Sequence, residues 1–152
     1  MAADPTPTPL GRSLLLTDGD LPIAEGDFTI VAGQANFLQG MQVMIGTPFQ
    51  SDIFNMTYGF DLIAALSSAN GPQIIKEFIK LNVVKSLDTD DRVRDITDFA
   101  FDDELHFYDL SPTSDPDALE LVRRTTRQWQ AIVIIDTVSG AAANLTLQGL
   151  GL

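Results

Sequence analysis

The segment 128–138, QWQAIVIIDTV, constrains this chain most. Ile132-Val133-Ile134-Ile135 is an unbroken β-branched run with no polar alternation. Such residues are stiff at χ1 and favour extended backbone, and a run without a polar side suits a strand buried on both faces. It predicts the central strand of a sheet. Asn144, Leu145, Thr146, Leu147 and Gln148 alternate and predict a final strand, reached across Ser139-Gly140. Phe99, Phe101, Leu105 and Phe107 occupy odd positions, so extended chain would place them on one side. Asp102-Asp103-Glu104 would then break that segment into two strands. Between these and the central strand, residues 111–117 read as a loop and 118–125 as a short helix capped by Ser114 or Asp115.

The first half changes period. Phe28, Ile30 and Ala32 alternate with Thr29 and Val31, as in a half-buried strand. After Gly33 the spacing lengthens, with Phe37, Met41 and Met44 at i, i+4 and i+7, which predicts a helix over 34–45. Gly46-Thr47-Pro48 ends it, because proline cannot continue a helix. The apolar stripe is read as core packing against a sheet rather than as a ligand pocket. Asn70-Gly71-Pro72 opens a second helix that runs to about Ser86, with proline at a position whose missing N–H is harmless. On it Ile75, Phe78, Ile79 and Asn82 share a face, and Lys76, Lys80 and Lys85 point towards solvent. Residues 60–66 suggest a short helix, and 13–17 and 21–23 short strands around the turn Asp18-Gly19-Asp20. Residues 1–12 begin MAADPTPTP and favour polyproline II, a flexible tail. The expected architecture is a single α+β domain over 13–152, a mainly antiparallel sheet with two principal helices packed on one face.

Composition narrows the chemistry. A chain of 152 residues, 45% of them hydrophobic, buries enough surface for one domain. Without cysteine it has no disulfide or thiolate site, and no apolar run reaches the roughly 18 residues of a membrane span. The N-terminus lacks the pattern of an export signal, so the expected location is cytoplasmic. A net charge of −12, from 21 acidic and 9 basic residues, argues against nucleic acid. Arg123, Arg124 and Arg127 form the one basic cluster, read as a solvated or ion-paired patch rather than a phosphate site.

No constellation points to catalysis. Among 21 acids some carboxylates must lie close together, so their abundance does not identify a glycosidase pair. His106 is the single histidine; beside Leu105 and Phe107 it reads as an exposed strand residue with no serine or cysteine to activate. No glycine-rich phosphate loop is present. Metal and cofactor sites are not expected.

One resemblance gives direction. A strand ending Val-Ala-Gly, a glutamine-containing helix, Thr47-Pro48, a polar loop and Tyr58-Gly59-Phe60-Asp61-Leu62 follow one another as in the sheath-initiator subunits of contractile-tail baseplates. These are the lysozyme-like wedge proteins of phage baseplates and their counterparts in type VI secretion and extracellular contractile injection systems. The likeness begins at Gly19-Asp20-Leu21-Pro22-Ile23 and continues to Asp90-Asp91-Arg92-Val93, where the family carries Glu-Pro-Arg and a branched apolar residue. The acid and the arginine are kept; Asp91 replaces the proline. The resemblance implies a non-enzymatic structural subunit that docks on baseplate wedge proteins, near tube or hub proteins, and templates the first layer of tail sheath. It would be a monomer alone and present in several copies in the particle. Tyr58, Gly59, Asp90, Asp91 and Arg92 would face the wedge partners. Asn144, Leu145, Thr146 and Leu147 would offer the sheath a strand to extend. The alternative from another class is a small cell-wall glycan hydrolase using paired carboxylates.

Overall fold

The computed structural model describes residues 8–61, 67 and 71–151. Its centre is a three-stranded antiparallel sheet ordered β5-β6-β7, from β5 (Val93–Phe101), β6 (Gln128–Thr137) and β7 (Ala142–Gly151). The β-branched run lies in β6 and is the middle strand, as its composition requires. Ala131, Val133 and Ile135 face one side and Ile132 and Ile134 the other, and each side meets its own apolar cluster.

The larger cluster lies under two helices, α1 (Gly33–Gly46) and α2 (Pro72–Leu87). Phe37, Met41 and Met44 of α1 are buried in it, together with Ile79, Val83 and Leu87 of α2. Leu145 and Leu147 come from β7, and Leu150 joins them because a bulge opposite Trp129–Ala131 inserts one residue. Gly149 takes φ +71° there, in the left-handed region that glycine adopts without strain. The bulge restores the inward phase, so β7 runs past the expected 144–148 to Gly151.

The α+β class and the two principal helices on one face are as expected, and α1 exceeds its expected bounds by one residue at each end. On α2 the inward stripe is Ile75, Ile79, Val83 and Leu87, while Phe78 is exposed. Lys76 corrects the expectation more sharply, since its side chain is buried rather than solvated. Its ammonium pairs with Asp103 and lies 5.4 Å from the Phe101 ring centroid and 5.5 Å from that of Trp129. Lys80 pairs with Glu104 at 3.0 Å over Phe99 and Phe101. Long aliphatic stems let both lysines cover apolar surface while their charges meet acids and ring faces. Lys76→Ala is expected to destabilise the domain by about 2 kcal/mol, and Lys76→Met, which keeps the packed stem, by under about 1 kcal/mol. Urea unfolding of both variants measures the difference.

The second face of the sheet carries the short helix expected over 118–125 and, before it, a helix where a strand was expected. Residues 105–107 are not a strand. They open α3 (Leu105–Leu110), which with α4 (Pro116–Thr126) covers β5 and β6 through Phe107 and Leu119 against Ala100 and Ile132. Phe107 and Leu110 are i, i+3 neighbours on that helix, so the odd-position pattern carries on from β5 into α3 only by coincidence, and Leu105 is left in solvent. Asp115 is the α4 cap, accepting from the Asp117 and Ala118 N–H groups.

Ahead of α1 the chain makes two small antiparallel pairs, β1 (Arg12–Leu14) with β4 (Ile30–Ala32) and β2 (Ile23–Ala24) with β3 (Asp27–Phe28). These replace the longer strands expected over 13–17 and 21–23. Leu10, assigned to the tail from sequence, is buried in the main cluster, and Gly11 accepts a bond from the Gly33 N–H. Residues 1–7, and most of the short helix expected over 60–66, lie outside the described residues. Among the described residues no helix is long and apolar enough to cross a membrane.

Candidate docking surfaces

At the C-terminal end of α2 the turn 88–92 closes on itself. Arg92 donates from Nε to Asp90 Oδ1 at 2.9 Å and from Nη2 to Oδ2 at 2.7 Å, and its backbone N–H also meets Oδ1 at 2.9 Å. The planar guanidinium matches the carboxylate fork, which a lysine could not do. It also reaches the Leu10 carbonyl at 3.3 Å and sits 5.4 Å from the Phe37 ring centroid. Arg92 thus ties the turn to α1 and to the start of the domain. Gly40 is explained by the same contact: a Cβ there would come within 3.0 Å of Arg92 Nη2. Hydrogen bonding to Arg92 holds the Asp90 carboxyl below the usual carboxylate range, and the same bond raises Arg92. Asp91 is exposed and takes no part.

The loop between α1 and α2 comes to the same end. Tyr58 packs on the main cluster, its phenol pushed up by burial and then by the charge of Asp90. Gly59 is buried at φ +105°, pressed against the Thr47 and Pro48 carbonyls, and its own carbonyl accepts from Ser86 Oγ at 3.1 Å. Tyr58, Gly59, Asp90 and Arg92, separated by some thirty positions in sequence, therefore meet. Their neighbours in the loop are apolar and exposed. Ile53 and Phe54 stand almost fully in solvent, Phe54 at 93% exposure. Asp52 Oδ1 accepts from the Phe54 and Asn55 N–H groups, and Asn55 Oδ1 from Thr57 N–H and Oγ1, so side-chain-built turns fix the display. The signal was available: Ile53, Phe54 and Met56 are three large apolar residues in a loop taken as polar.

The second candidate surface is β7, an edge strand. Asn144 and Thr146 lie on the α3/α4 side of the sheet but stay exposed, because those helices cover β5 and β6, whereas Leu145 and Leu147 turn into the core. Only the backbone of those two leucines is available to a partner. Gln34 Nε2 donates to the Ala142 carbonyl at 2.9 Å and pins the strand's start to α1.

A third group of titratable residues ties the second-face helices to the sheet. His106, on α3 rather than a strand, is 51% exposed and places Nε2 2.6 Å from Asp98 Oδ2. This bond raises the imidazole pKa and lowers that of Asp98. A raised imidazole adds stability below its unfolded value and loses it as pH rises through the folded one. The depressed carboxyl adds stability above the carboxylate range. The pair is therefore expected to hold α3 most firmly in mildly acid solution. A proton NMR titration should find His106 above the ordinary imidazole value, and Asp98→Asn should bring it most of the way back. Asp102, buried at the end of β5, is raised by desolvation against the pull of Arg123, whose Nη1 lies 3.4 Å away, an ion pair too long for a good hydrogen bond. Arg124 pairs with Glu120, so two of the three clustered arginines are ion-paired. Among the described residues no group of three or more His, Asp or Glu is placed to hold a metal ion.

No family model, curated protein or solved structure matches this chain.

Proposed function

We propose that the protein is a structural subunit of a contractile-tail baseplate, docking on wedge proteins through the end that carries Phe54, Tyr58, Gly59 and the Asp90–Arg92 pair. The reading rests on the sequence resemblance. One observation adds support: an apolar loop, held outward by Asx turns, runs into Tyr58 and Gly59, which meet the end of the chain's second long helix and its locked Asp90–Arg92 pair. Aromatic residues and arginines are enriched among the side chains that anchor interfaces. Asp91 in place of the family's proline leaves the turn to be stiffened by the Asp90–Arg92 fork.

The sheath contact is assigned to the outer edge of β7. Strand addition draws mainly on backbone hydrogen bonds, so one edge can accept a different protein's arm. Removing the strand is not a usable test, since Leu145, Leu147 and Leu150 belong to the core. Asn144→Lys with Thr146→Lys charges the exposed face of the edge and leaves the core intact.

The test is co-expression with the products of the neighbouring genes, which this reading expects to include wedge and sheath proteins. Phe54→Ser is expected to leave folding stability within about 0.5 kcal/mol of the parent and to lower wedge binding at least about tenfold. The Asn144/Thr146 double lysine variant should still enter baseplates and nucleate less sheath. Normal binding by Phe54→Ser would overturn the wedge assignment. Cell-wall lysis by the purified chain would favour the hydrolase alternative.

A further inference from the structure

We infer that the segment 12–32 is a second, separate docking element, a rigid β-ribbon that fits a protein partner with an apolar slot rimmed by lysine or arginine. It stands apart from the baseplate reading, because neither contact proposed above uses it.

The ribbon is built to keep its shape. Asp18-Gly19 and Glu25-Gly26 are two-residue turns with positive φ at both positions, 52° and 83° in the first and 53° and 88° in the second. These are the turns whose twist suits a tight hairpin. Thr17 and Asp20 exchange backbone bonds of 2.9 and 3.0 Å, and Ile23 pairs with Phe28 across the second turn. At the base, Gln39 of α1 accepts from the Leu16 N–H and donates to Ser13 Oγ and the Leu14 carbonyl.

That anchor fixes which side faces out. Ser13 and its partner Val31 turn towards α1, so Leu14 and its partner Ile30 turn away. Leu14, Leu16, Leu21, Ile23, Phe28 and Ile30 are all exposed, Ile23 by 67%. A two-stranded ribbon has no second layer of its own, and polar residues belong at its outward positions unless something covers them. Here the outward cross-strand pairs are Leu14 with Ile30 and Ile23 with Phe28.

Charge selects the occupant. Asp18, Asp20, Glu25 and Asp27 lie among these apolar residues, and Arg12 is the one cation of the segment. None of the four acids is in an ion pair among the described residues. A second copy would set acid against acid on a chain of net charge −12, and an anionic membrane would repel the same rim. A partner with basic residues around an apolar slot meets both features at once.

The experiment places a photo-reactive amino acid at position 23 in the full chain in its native cells, with one at exposed position 121 as control. An adduct to one different protein is expected at 23 and absent at 121. With that protein purified, Ile23→Ser/Phe28→Ser should weaken binding at least tenfold, and added salt should weaken it further, while the urea midpoint of the chain stays unchanged. Adducts within the chain or to a second copy, no adduct above the control, or binding indifferent to both the variant and salt would overturn the inference. A failure here leaves the Phe54 test untouched.

Discussion

Gly59→Ala is expected to destabilise the domain by about 3 kcal/mol. Two independent penalties coincide. Gly59 is held at φ +105°, where residues with a Cβ are strained. A Cβ there would also stand 2.6 Å from the Thr47 carbonyl oxygen and 2.9 Å from that of Pro48. Neither oxygen can swing aside, because Thr47 accepts from the Phe60 N–H at 2.9 Å and Pro48 from the Ser51 N–H at 3.1 Å. Relief would require lifting the loop off the end of α2 and breaking the bond from Ser86. By contrast Gly19→Ala meets no atom within 4 Å and should lose only the φ penalty, roughly 1 kcal/mol. Urea midpoints for the two variants, compared at constant m, measure the difference.

Arg92→Ala should cost about 2–3 kcal/mol while leaving the chain folded at room temperature. The substitution removes three hydrogen bonds from the side chain and its stacking over Phe37, and leaves Asp90 partly buried without its counter-charge. Arg92→Lys should recover less than half, since an ammonium cannot span both carboxylate oxygens. The sign of the pH dependence follows from Asp90. Its carboxyl is depressed in the folded state, so the pair's contribution is present above the unfolded carboxylate pKa and fades as pH falls through the folded one. The stability gap between parent and Arg92→Ala should therefore narrow in strong acid. Gly40→Ala offers an independent check: the added methyl should be better tolerated in the Arg92→Ala background, where the guanidinium no longer occupies its place.

Local periodicity carried far in this sequence where one face was buried and one period held. Phe37, Met41 and Met44 announced α1, and the β-branched run announced β6. The run held more than was drawn from it. A strand apolar on both sides calls for cover on both, and α3 and α4 supply that second cover. The helix over 118–125 was expected, though not as cover for the sheet, and α3 escaped notice because it is a short six-residue helix whose Phe107 happens to continue the parity of Phe99 and Phe101. Lys76 and Lys80 were misread for a different reason. Their partners, Asp103, Glu104, Phe101 and Trp129, are remote in sequence, and no helical pattern tells a lysine stem lying over aromatic rings from one in water. The proposed docking end was half legible: Tyr58, Gly59, Asp90 and Arg92 were named through the family resemblance, but their meeting at one end is a property of the fold. Phe54 needed only attention to the loop's own composition.

The baseplate account is tested most directly by isolating the tagged full chain from its native cells and imaging what it brings with it by electron microscopy. The account predicts contractile tails or their baseplates, with the tag at the sheath-proximal end and wedge proteins co-purifying, and their loss on Phe54→Ser. A chain recovered free of wedge and sheath proteins, with no tail-like particle in the sample, would contradict it.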